Sequence, residues 1–121
     1  MADALCIVVG AKTVMLAAAA FTLSWTHSVE KTSWQEDWRL GASGLELVEA
    51  RIKGSGAGME PPADAVLANG WWTYRPALPP QPNINLAASG ATSGGWTLCV
   101  AGLCMELGAA PGEGVVIAPC P

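Results

Sequence analysis

Charge is the scarcest property of this chain. Of 121 residues, 13% are charged, six Lys and Arg against ten Asp and Glu, where about 25% is usual for a soluble domain. No Lys or Arg follows Arg75, and the net charge is −4. A nucleic-acid surface needs a cationic patch to displace the counterions of phosphates. Nucleic acid is therefore excluded as a partner, and an anionic membrane surface is disfavoured for the same reason. Long apolar runs are missing too. The longest, Val14 to Leu23, is shorter than the roughly 20 residues of a spanning helix, so the chain reads as not membrane-spanning. There is one His, no Gly-x-Ser-x-Gly elbow, no Walker loop and no dinucleotide fingerprint. Without a nucleophile–base set or a cofactor motif, the expectation is a non-enzyme that needs no cofactor.

Apolar residues, by contrast, make up 51% of the chain, with 14 Gly, nine Pro and six Trp. That composition excludes a disordered chain, which needs high charge and few apolar groups. The Gly and Pro content calls for many turns and little long helix. Short alternating segments between turn signals predict a single all-β domain over residues 1–121. Its form is an antiparallel sandwich or partly open barrel of about eight or nine short strands. At most one helical turn is expected, within Pro62–Gly70.

At the N-terminus, Leu5–Val9 and Thr13–Ala17 read as two strands joined at Gly10-Ala11-Lys12. The alternative is a secretory signal, for which the Ala run speaks. Against it stand the acidic start at Asp3 and the interrupted apolar stretch. The compartment is left open.

The clearest pattern is Phe21–Glu30. Phe21, Leu23, Trp25, His27 and Val29 share one face, and Thr22, Ser24, Thr26, Ser28 and Glu30 the other. This is the period of a half-buried strand. Trp34–Leu40 alternates likewise. A hairpin turning at Lys31-Thr32 sets Trp25 against Trp38, His27 against Glu36 and Val29 against Trp34. A third strand runs from Leu45 to Lys53 and sets Leu40 against Leu45, Trp38 against Leu47 and Glu36 against Glu49, with Arg51 beyond. A bulge near Val48 would break that register. His27, Glu36 and Glu49 then form a polar cluster on an apolar face, with Arg51 to neutralise a carboxylate. Buried polar groups must pair or bind something, so the cluster reads as a closed hydrogen-bond network or as a ligand or metal site. Ser28 beside His27 is no catalytic pair, because adjacent strand side chains point to opposite faces.

Gly54, Gly56 and Gly58, with Met59 after them, lie in a loop that suits positive φ or close backbone approach. Gly70–Arg75, Ile84–Ala88, Trp96–Ala101, Leu103–Leu107 and Val115–Ala118 are further short strands. Trp71-Trp72 reads as an exposed pair. The four cysteines allow disulfides, free thiols or metal ligation. Cys99 and Cys104 flank a four-residue turn and can bridge. Cys6 and Cys120 are the second candidate pair, because chain termini often lie close together.

Phe21–Glu30, Trp34–Trp38, Gly54–Pro62, the Cys99…Cys104 pair and Cys120 together resemble the bacterial family known as domain of unknown function 1850. The resemblance covers most of the chain. It implies company with TRAP-type solute transporters, notably those with TAXI-class binding proteins, beside which members are encoded. The leading expectation is thus an accessory or small-ligand-binding module whose partner is a TRAP transporter subunit or a small organic solute. The alternative is a metal-binding or thiol/disulfide redox protein using His27, Glu36 and the cysteines.

Overall fold

The computed structural model describes residues 3–26, 33–53, 64–86, 93–108 and 114–121. Among these residues eleven strands run β1 (Ala4–Val9), β2 (Lys12–Ala17), β3 (Ala20–Thr26), β4 (Ser33–Gly41), β5 (Gly44–Lys53), β6 (Val66–Ala68), β7 (Trp71–Tyr74), β8 (Ile84–Leu86), β9 (Ser93–Val100), β10 (Leu103–Leu107) and β11 (Val115–Pro119). They form two antiparallel sheets. A small sheet has the order β2-β1-β11-β8, and a large one the order β10-β9-β3-β4-β5-β7-β6. The sheets are not closed into a barrel, so the fold is an all-β sandwich. No helix of the described residues is long and apolar enough to cross a membrane.

The expected helical turn within Pro62–Gly70 is corrected over its described part. Val66–Ala68 is a strand that pairs with β7. The turn between them is Asn69-Gly70, with φ of 54° and 83°. Asn and Gly tolerate positive φ, and this dipeptide favours the tight hairpin turn whose twist matches its strands. Eleven strands among the described residues exceed the expected eight or nine, and β6 is one that the sequence did not offer.

The core lies between the sheets. Leu5 and Ile7 of β1, Val115 and Ile117 of β11 and Leu86 of β8 face Phe21 and Leu23 of β3, Trp38 of β4, Leu45 of β5 and Leu98 of β9. Every one of these is buried, and each lies on the inward side of a period-2 strand. The chain crosses from small to large sheet at Ala18-Ala19, where Ala18 N donates to Asp3 O and Leu40 N to Ala19 O. It returns through the Pro-rich segment after β7. There Gln81 exchanges both backbone hydrogen bonds with Leu45, at 2.7 and 2.8 Å. Gly44 stands at φ +128°, and a Cβ there would lie 2.5 Å from Gln81 O. Only glycine allows this approach.

The β3–β4 hairpin keeps the predicted faces but not the predicted register. Trp25 opposes Trp34, Leu23 opposes Glu36 and Phe21 opposes Trp38. Trp25 and Trp34 stack at 5.8 Å and Phe21 and Trp38 at 6.3 Å. Cross-strand aromatic pairs stabilise a sheet beyond their area burial, and this register has two, where the predicted one would have opposed Trp25 to Trp38 alone among the aromatics. Glu36 therefore does not oppose His27, which lies outside the described residues.

Candidate functional site

The functional surface follows from one irregularity. Leu40 opposes Leu45 and Trp38 opposes Leu47, as the sequence predicts. A bulge then shifts the register, so that Asp37 opposes Glu49 and Glu36 opposes Ala50. The extra residue is Val48, the position where the rival apolar face begins. Because a one-residue shift exchanges sheet faces, Ala50 and Ile52 turn inward and are buried. Glu49 and Arg51 turn outward. The expected cluster of His27, Glu36, Glu49 and Arg51 is thereby divided: Glu36 stays inside, and Glu49 and Arg51 join Asp37 on the outer face.

That outer group is a closed network. Arg51 donates through Nη1 to Asp37 Oδ2 at 2.8 Å and to Glu49 Oε2 at 2.6 Å, and through Nη2 to Asp37 Oδ1 at 3.0 Å. Its Nε donates to Gln35 Oε1 at 3.1 Å, while Thr22 Oγ1 donates to Asp37 Oδ1 at 3.0 Å. The Arg51 hydrogen bonds hold the Asp37 carboxyl below its ordinary range, and Asp37 in turn raises the Arg51 pKa. Arginine only donates, so Gln35 must present its carbonyl oxygen to Arg51. Both N–H bonds of the Gln35 amide are left to point elsewhere.

Beside this network the outer face holds a recess of about 370 Å³. Its floor is a ladder of polar side chains at successive strand pairings: Glu106 of β10 opposes Thr97 of β9, Thr97 opposes Ser24 of β3, and Ser24 opposes Gln35 of β4. Thr26 and Ser33 form the next row, and Lys53 and Trp71 close one end. The Lys53 ammonium sits 5.7 Å from the Trp71 ring centroid, over its face. The β3–β9 register shifts between Ser24 and Thr26, and Gly95, at φ +71°, lies in that irregularity and in the recess wall. The arrangement presents hydroxyls, an amide, one ammonium and one carboxylate to a polar ligand.

Glu36 occupies a different environment. Its Oε1 accepts from Trp38 Nε1 at 3.1 Å. Burial pushes its pKa above the ordinary value, against the smaller lowering effect of that hydrogen bond. The Tyr74 phenol is also raised, by burial and then by the neighbouring Glu36 charge. Trp25 packs against Trp96 at 4.8 Å as well as against Trp34. The buried indole nitrogens of Trp34 and Trp96 have no hydrogen-bond partner among the described residues.

All four cysteines are paired. Cys6 bonds Cys120 with a Cα separation of 5.0 Å, and Cys99 bonds Cys104 directly across the β9–β10 hairpin with a Cα separation of 4.0 Å. Among the described residues, no three His, Cys, Asp or Glu side chains converge on a metal position. The loop residues Gly54, Gly56, Gly58 and Met59 lie outside the described residues.

Sequence reasoning did not single out Gln35, Lys53, Thr97 or Glu106. A signal for the site was present in the polar half of the Phe21–Glu30 alternation, where Thr22, Ser24 and Thr26 mark an outer face. It reads as mere solvation until the neighbouring strands are placed.

A family model described as Domain of unknown function (DUF1850) matches residues 21–107. No curated protein and no solved structure matches the chain. The chain belongs to the domain of unknown function family that this model describes.

Proposed function

We propose that this family member is a non-enzymatic binding module that holds a small organic solute on the outer face of its large sheet, as an accessory to TRAP-type solute transport. The observation that carries the binding reading is the recess over the Ser24–Gln35–Thr97 ladder. Binding sites are concave and carry a few convergent polar groups that fix orientation. Here those groups stand on the central strands of a sheet, whose hydrogen-bonded neighbours keep them in place. Hydroxyls, an amide and an ammonium recognise a ligand. The link to transport rests on the family resemblance and the genes beside which members are encoded.

The test is affinity purification of the tagged protein from its own cells under non-denaturing conditions, followed by native mass spectrometry. The expected result is a retained small molecule together with enrichment of a TRAP transporter subunit. Bare protein without a solute would overturn the binding reading. A retained solute without the subunit would overturn the transport link alone.

A further inference from the structure

From the charges of this recess we infer the class of its ligand: a hydroxylated monocarboxylic acid, with its carboxylate at Lys53 and Gln35 and its hydroxyls along the sheet toward Glu106. The inference rests on the binding reading above and gives it a chemistry.

Three observations carry it. The first is where cationic charge is unspent. Arg39 is bound to Glu46 and Arg51 to Asp37 and Glu49. Lys53 lies at the recess with no carboxylate partner among the described residues, and its Nζ is held over Trp71. An ammonium so placed can still bind an anion through its remaining donors. The second is the Gln35 amide. Its oxygen is taken by Arg51 Nε, so what it offers the recess is N–H. Lys53 and Gln35 thus make one end a donor site, suited to carboxylate oxygens. The third is the opposite end, where Glu106 contributes a carboxylate from β10. β10 and β5 are four strand intervals apart, about 19 Å at about 4.8 Å per interval, and both side chains line the same recess. One cation balances one anion, and a second anion at the far end would meet Glu106. Between the ends, Ser24 and Thr97 both donate and accept, as ligand hydroxyls require.

The probes are gluconate, glucitol and glucarate, which share a six-carbon polyol frame and carry one, no and two carboxylates. Isothermal titration of the intact, oxidised protein should show gluconate bound at least tenfold more tightly than glucitol. Glucarate should bind more weakly than gluconate. Lys53→Met should weaken gluconate at least tenfold and leave glucitol unchanged, with thermal unfolding confirming the fold. Glu106→Gln should bring glucarate up toward gluconate. Glucitol binding as tightly as gluconate, glucarate binding best, or gluconate indifferent to Lys53→Met would each overturn the monocarboxylate inference and leave the binding reading standing. If no probe binds, the protein is equilibrated with a small-molecule extract of its own cells and weighed by native mass spectrometry. A retained hydroxylated monocarboxylate that Lys53→Met releases supports the inference. A retained neutral or cationic solute, or an acid that Lys53→Met still holds, overturns it. No retained solute overturns the binding reading, and the inference falls with it.

Discussion

The two sheets of the sandwich obey different rules. The small sheet is aliphatic, and three of its four strands, β1, β2 and β11, come from the chain ends outside the family match. Its Cys6–Cys120 disulfide joins residues 114 apart in sequence. The large sheet is built mostly from neighbouring hairpins. Its inner face is aromatic, and its outer face carries the Arg51 network and the recess. The contrast separates two tasks. The small sheet covers the core and is held shut by long-range closure. The large sheet presents a chemically specific surface, and its local pairings hold that surface in register.

The largest effect should come from opening the cover. A cross-link stabilises by limiting the unfolded chain, more so for a longer loop. The chain-entropy relation gives about 5 kcal/mol for Cys6–Cys120 and about 2 kcal/mol for Cys99–Cys104, with separations of 114 and 5. Denaturant unfolding of C6A/C120A and C99A/C104A should show the first pair costing more. Equal costs would remove long-range closure as the distinction between the sheets.

Next is the joint where the returning chain meets the large sheet. Gly44→Ala forces a side chain into a positive-φ position and against the Gln81 carbonyl. We expect a loss of about 2–4 kcal/mol, read as a shifted denaturation midpoint. A variant as stable as the parent would show that the Leu45–Gln81 pairing is dispensable.

On the outer face, Arg51→Met should lower stability at neutral pH by about 1–2 kcal/mol, because it strands two partly exposed carboxylates. The pH dependence carries the sign. The folded pKa of Asp37 is depressed, so its contribution is present above the unfolded carboxylate range and is lost as pH falls through the folded value. Arg51→Met should therefore flatten the acid limb of a melting-temperature profile. An unchanged acid limb would remove Asp37 as its source.

On the inner face the sign reverses. Burial raises the Glu36 pKa, so the folded state holds this proton more tightly than the unfolded chain does. Its contribution is full below the unfolded Glu value and is lost as pH rises through the folded one. Glu36→Gln keeps an acceptor for Trp38 Nε1 without the buried charge. It should raise the melting temperature at neutral pH, and the gain should vanish in acid. A loss at neutral pH would mean that the carboxylate has a cationic partner. The smallest effect belongs to the edge strand β6, where Leu67 is 54% exposed. Leu67→Thr should change stability by less than about 0.5 kcal/mol.

Faces were more legible than partners. The alternation of Phe21–Thr26 is enough to place Thr22, Ser24 and Thr26 opposite Phe21, Leu23 and Trp25, because strand side chains repeat with period 2. The Cys99–Cys104 bridge was equally local, needing only the hairpin between them. The β3–β4 register was not legible, since sliding a hairpin by an even number of residues preserves every face; the β4–β5 register was legible only as far as Leu47, before the bulge. Choosing Trp34 over Trp38 as the partner of Trp25 depends on how the rings stack.

The sequence alone determined an all-β chain with an aromatic face, a polar face and very few charges to spend. Period, turn chemistry and composition act locally and can be read one residue after another. Tertiary structure decided which charges meet. The single residue inserted at Val48 sends Glu49 and Arg51 to the outer face and leaves Glu36 within, and the order of strands brings Lys53 of β5 and Glu106 of β10 to opposite ends of one recess. Those outcomes depend on pairings between segments far apart in the chain, where packing over the whole sheet outweighs any local preference.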